Sequence, residues 1–189
     1  MRRAASVLAG LILLIAASVV PVAADTTGGG NQLQSFTFTC DAEVCTDTTV
    51  SAFLDPSGGS ACLDIFMFSA VDKSFVSEET GCAPAPTFTI SGTLAASFGP
   101  TSIALDLCDE NGDCAPSRTV VVSASDAPTG PVSTTSGHST TKDGTCTTKT
   151  KFTDSSVSVA GTYTIDGITT AETGDVSTHT EKSKTTCRF

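Results

Sequence analysis

The sequence predicts an all-β fold: an antiparallel β-sandwich over residues 34–125, followed by a small disulfide-stapled antiparallel β-sheet domain over 142–189. Three observations carry this expectation. Short runs of Val, Ile, Phe and Thr recur between turn-formers, with no sustained helical period. All eight cysteines, an even number, lie downstream of an N-terminal segment with the order of an export signal. A Pro, Gly, Ser and Thr stretch, SASDAPTGPVSTTSGHSTTKDGT from Ser123 to Thr145, has the composition of a linker between them.

Residues 1–24 read as a signal peptide. Arg2 and Arg3 supply the positive end, Leu8–Val20 the apolar run, and Val22-Ala23-Ala24 the small residues that signal peptidase needs before Asp25. The run falls short of the roughly 17–25 apolar residues of a spanning helix, so no membrane insertion is expected after cleavage. Residues 25–33, polar and glycine-rich, read as a flexible leader. Gln34–Thr39 and Thr48–Leu54 alternate as half-buried strands do, whereas Ile65-Phe66-Met67-Phe68 is continuously apolar, as in a strand buried on both faces. Thr87–Ile90, Ser102–Leu107 and Arg118–Ala124 complete the set. Between the last two, Asn111-Gly112 tolerates the positive φ angles of a tight hairpin.

The linker is placed at 126–141. Beyond it, Val157, Val159, Tyr163 and Ile165 share one face under period-2 alternation, with Gly161 between them, and Asp143-Gly144 and Asp166-Gly167 mark turns. So small a sheet has a marginal core, so a bridge between Cys146 and Cys187 is expected to hold it. Local pairing gives Cys40–Cys45, Cys62–Cys82, Cys108–Cys114 and Cys146–Cys187, chosen among about 105 connectivities for eight cysteines.

The first segment resembles the PKD-type and related bacterial immunoglobulin-like β-sandwich domains. Phe36-Thr-Phe-Thr-Cys40-x4-Cys45 is similar to the opening strand of those with a C-x4-C pair, and Pro86-Thr-Phe-Thr-Ile90 to their mid-domain strand. Gly99–Asp113 followed by Thr119–Val122 is similar to their last hairpin. The family's W-D-F-G-D-G strand is missing, and Phe66–Lys73 stands about where it would fall. The resemblance implies an immunoglobulin-like sandwich serving as an extracellular accessory module for spacing, adhesion or binding.

Charge narrows the partners. Without Arg2 and Arg3 the chain carries 8 basic against 20 acidic residues, and from Asp25 to Asp126 the count is 14 acidic against Lys73 and Arg118 alone. Such a half repels phosphate backbones, so no nucleic acid is expected as partner. No G-x-S-x-G motif accompanies the two histidines, His138 and His179, and exported cysteines favour disulfides over thiol or zinc chemistry. Asp109, Glu110, Asn111 and Asp113 supply clustered oxygens of the kind Ca2+ prefers, which makes this hairpin tip the candidate metal site. Its spacing is not that of an EF-hand, since Gly112 falls at the fourth position and no bidentate Glu follows. With no Trp and one Tyr, and with the phenylalanines assigned to strands, an aromatic sugar platform is disfavoured.

The resulting expectation is a secreted or cell-surface, non-enzymatic binding or adhesion module whose partner is an extracellular protein or cell-surface glycan. The alternative is a disulfide-rich inhibitor of an extracellular hydrolase that presents the Cys108–Cys114 loop.

Overall fold

The computed structural model describes residues 23–188, so the expected signal peptide, 1–24, lies outside the described residues except for its last two. Ten strands follow in order: β1 (Ala23–Cys40), β2 (Val44–Asp55), β3 (Gly58–Ser69), β4 (Phe75–Pro84), β5 (Thr89–Ile90), β6 (Ala96–Cys108), β7 (Cys114–Pro128), β8 (Ser133–Asp143), β9 (Cys146–Ile165) and β10 (Ile168–Cys187). There is no helix among the described residues, and the all-β class expected from the sequence holds.

The pairings run β1-β2-β3-β4-β6-β7-β9-β10 and return to β1, all antiparallel. They form one closed ring of eight strands rather than the two facing sheets of the expected sandwich. Closure removes the exposed edges that an open sheet would leave. The thinnest seam is β4–β6, paired only at Glu78–Cys108, Glu79–Leu107 and Thr80–Asp106.

Alternation along each strand sends one set of side chains, mostly aliphatic, into the ring. Leu33, Val50, Ala52, Leu63, Ile103, Leu105, Val120, Val122, Val157, Val159, Tyr163 and Val176 meet there in one core. The connection after β4 contributes to the same core. It places Ala85, Phe88 and Leu94 in it, held by Ala85 N–H donating to the Gly59 carbonyl and Gly99 N–H donating to Thr87 Oγ1.

Residues 142–189 were expected as a separate domain. In the structure β9 pairs with β7 and β10 pairs with β1, so this segment closes the same ring. The expected flexible leader, 25–33, is part of β1, and most of the expected linker, 126–141, is strand in β7 and β8. Ser and Thr are good exposed-strand residues, and backbone pairing to a neighbour needs no apolar side chain. A composition that resembles a linker therefore serves as an outer strand.

Strands β9 and β10 run well past the ring. Their far halves pair in unbroken register, flanked by β8 and by the start of β1, as a four-stranded arm. Each of four hairpins carries one disulfide between register partners: Cys40–Cys45 in β1/β2, Cys62–Cys82 in β3/β4, Cys108–Cys114 in β6/β7 and Cys146–Cys187 in β9/β10. These are the pairs that local spacing suggests. Their Cα separations of 3.9–4.0 Å match the narrow, non-hydrogen-bonded positions of an antiparallel ladder.

Candidate functional site

Period-2 alternation has a second consequence on β1 and β3. If Leu33 and Ser35 point into the ring, then Phe36 and Phe38 point out, and Leu63 does the same for Phe66 and Phe68. Phe38 is 57% exposed and Phe36 49%. Ile65–Phe68 is thus not a strand buried on both faces, as its unbroken apolar run suggests. Its outward side chains form part of an external aromatic wall.

The register assembles this wall across four strands. Asp47 on β2 lies between Phe38 and Phe66, while Phe68 stands opposite Phe75 on β4, at a break in the β3–β4 register. The Phe38 and Phe68 rings stack with centroids 6.0 Å apart, Phe66 lies 6.0 Å from Phe68, and Phe75 lies 5.5 Å from Phe66. In the β3–β4 loop, Lys73 places its ammonium 5.5 Å from the Phe68 centroid while Nζ donates to the Ala70 carbonyl. That is one cation already seated on a ring of this wall.

Carboxylates are interleaved with the rings. Asp64 sits next to Glu78 and Asp47, and burial, reinforced by those two charges, pushes its carboxyl up to about 6. The wall therefore combines apolar rings with a negative field. Beside it, where the β1–β10 register ends at Phe36–Thr173, a groove of about 380 Å³ is lined by Phe36, Thr37, Phe38, Ala171, Glu172 and Thr173. Thr37 Oγ1 donates to the Ala171 carbonyl at 3.4 Å, joining two residues that line this groove.

The hairpin tip expected to hold Ca2+ is organised differently. Asp109 Oδ1 accepts the N–H groups of Asn111 (2.9 Å) and Asp113 (3.0 Å), and these bonds hold its carboxyl below the usual range. One of its oxygens thus caps its own turn, with Gly112 at φ 81° completing the reversal. Among the described residues no three Asp, Glu, His or Cys side chains converge as a metal site.

The histidines lie on the arm strands β8 and β10. His179 Nδ1 meets Asp154 Oδ1 at 2.5 Å, with Glu181 Oε2 3.7 Å from Nε2, and the pair to Asp154 raises the imidazole's pKa. His138 stands on β8 opposite Lys151.

Two features escape sequence reading alone. One is the aromatic wall, whose signal was present as the i, i+2 pairs Phe36/Phe38 and Phe66/Phe68. The other is a buried acid pair, Asp126 and Glu172, each 4% exposed within the ring. No family model, no curated protein and no solved structure matches this chain.

Proposed function

We propose that the protein is a non-catalytic, exported binding module, and that the wall of Phe36, Phe38, Phe66, Phe68 and Phe75 is its docking surface. The observation that carries this reading is the outward-facing ring cluster, with Phe36, Phe38 and Phe66 exposed and Phe68 and Phe75 half-buried beside them. Phenylalanine has no polar handle, so leaving it in water forfeits about 25 cal/mol for each Å² of ring not buried. A contiguous apolar patch rimmed by polar residues is the usual mark of an interaction site.

Asp47, Asp64 and Glu78 select the partner's chemistry. A surface presenting arginine or lysine beside apolar side chains gains ring contacts, cation–π contacts and charge complementarity together. The partner is accordingly a basic, partly apolar protein surface at the cell exterior. Four disulfides suit such a compartment.

The test is saturable retention of the oxidised chain, residues 25–189, on intact host-type cells and on the same cells stripped with protease. Retention should fall on stripped cells. It should also fall about 30-fold or more in a Phe38→Ser/Phe66→Ser variant, the scale of losing an aromatic anchor. The variant should still unfold cooperatively, because both rings lie outside the core. Equal retention of variant and parent would overturn the assignment of the wall.

A further inference from the structure

Along β9 and β10 the inward-facing positions of the ring continue without a register break into the arm, and there their chemistry changes. In the ring these positions hold Val157, Val159, Tyr163, Gly174 and Val176. In the arm they hold Lys149 and Lys151 on β9, opposite Lys184 and Lys182 on β10. Lys142 on β8 falls on the same face, opposite Thr147. All five lysines are exposed.

Two of these pairs are like charges directly across a ladder, Lys149–Lys184 and Lys151–Lys182. Directly opposed like charges destabilise a sheet. No carboxylate of residues 28–188 lies within 4 Å of any of these ammonium groups. The only acidic residue at the register positions of this face is Asp25, across from Lys184. At the arm's end the face deepens into a cavity of about 520 Å³, lined by Lys142, Lys149, Lys184 and Arg188 with the hydroxyl residues Thr145, Thr147 and Thr186. Arg188 is held there by its N–H donating to the Thr145 carbonyl. Among the described residues the cavity is lined by four cations and three hydroxyls, with no carboxylate and no apolar side chain.

We propose that this face binds an anionic extracellular polysaccharide bearing sulfate or phosphate groups, with the first group seated in the end cavity and later ones along the lysine rows. Ammonium groups and threonine hydroxyls are donors to a tetrahedral oxyanion, and the rows repeat about every 4.8 Å across strands and about 6.8 Å along them. A lipid surface is a poorer fit because the face offers no apolar side chain to insert among the described residues. Single-stranded nucleic acid is a poorer fit because the face has no aromatic ring among the described residues for base stacking. This site is separate from the aromatic wall, and either can fail without the other.

The test measures binding of the oxidised chain, residues 25–189, to dextran sulfate, dextran phosphate, unmodified dextran and a poly-dT oligonucleotide at 50 and 200 mM NaCl. Binding to one or both charged dextrans, none to the unmodified polymer, and at least tenfold weakening at the higher salt are expected. The sulfate and phosphate arms show which group is taken. Lys149→Gln/Lys184→Gln should weaken binding at least tenfold, while Arg118→Gln, which removes a cation off this face, should leave it unchanged. As a second readout, saturating dextran sulfate or phosphate should raise the parent's unfolding midpoint more than the double variant's. Binding unaffected by the double substitution, absence of binding to both charged dextrans, or tighter binding to poly-dT than to either would overturn the proposal.

Discussion

Asp126 on β7 and Glu172 on β10 are both register partners of Gly161, which stands between them on β9. A side chain at 161 would collide with the Ser125 carbonyl and with Asp126 itself. Glycine therefore lets β7 and β9 approach and leaves the two carboxyls facing one another across an empty position. Ser35 Oγ, donating to Asp126 Oδ2 at 3.5 Å, is a long contact, and Asp126 Oδ1 and both Glu172 oxygens have no protein partner. Burial is the first cause of the shift in both acids, pushing Asp126 up to about 6 and, with the Asp126 charge beside it, Glu172 up to about 8. Unfolded, the same groups would titrate near roughly 4. The native state then holds protons that the unfolded chain releases, so stability is fully present below about pH 4 and is lost as pH rises through 6 and 8. Glu79 works the other way. The Arg118 guanidinium, with Nη2 2.7 Å from Oε2, holds it below its ordinary range, so its contribution is lost only in acid. Between pH 5 and 8.5 denaturant unfolding should cost the native chain on the order of 2 kcal/mol more stability than it costs Glu172→Gln. Asp64, also raised, leaves a residual slope in the variant. Identical pH profiles for the two proteins would show that the buried pair is not protonated in the fold. None of this was legible beforehand: Asp126 reads as a linker residue because its neighbours are small and polar, and only the β7–β9 pairing buries it.

At the scale of elements, the legible parts are those fixed by local chemistry. Asn111-Gly112, Asp143-Gly144 and Asp166-Gly167 are turns, with Gly112, Asp166, Gly144 and Gly167 at positive φ. The face shared by Val157, Val159 and Tyr163 is buried as alternation predicts. Disulfide pairing is legible for the same reason, since each bridge joins neighbours in a hairpin. What composition concealed was strand formation at 25–33 and 133–141, where mostly small and polar residues carry the backbone ladder. The arm is the element most dependent on its staple. Its sheet buries little, it sets lysine against lysine, and the Cys146–Cys187 bridge lies at its free end, 41 residues apart in sequence. Chain-entropy reasoning assigns such a loop about 4 kcal/mol. Cys146→Ser/Cys187→Ser should therefore lower global stability by about 2–4 kcal/mol. Hydrogen exchange should speed up first at 147–155 and 178–186, while amides at 157–165, inside the ring, retain protection. Uniform loss of protection along both strands would mean that arm and ring do not open separately.

The whole molecule is defined by contacts between its ends, and these are what no local pattern contains. Alternation states that a strand has an inner and an outer face, but not that β1 will pair with β10 rather than leave an edge. The sequence therefore reads as two units joined by a linker, whereas the pairings make the last two strands part of the first unit's wall. The consequence is testable by truncation. A chain of residues 25–128 contains every strand of the expected sandwich, and under a two-domain arrangement it would fold alone. In the closed ring it loses Val157, Val159, Tyr163 and Val176 from the core and leaves β1 and β7 with unpaired edges. Exposed edges of that length invite association. The truncated chain should show no cooperative thermal transition and should be digested by protease under conditions where residues 25–189 survive. The longer chain should unfold in one step. Tyr163, the single tyrosine in a chain without tryptophan, is buried on β9 beside Ala124 of β7 and Thr170 of β10, so its fluorescence reports the closing seam itself. Its transition should coincide with that of the far-ultraviolet circular dichroism, as one cooperative unit requires. Separate transitions for the two probes, or a folded and protease-resistant 25–128, would restore the two-domain reading and remove the ring as the unit of stability.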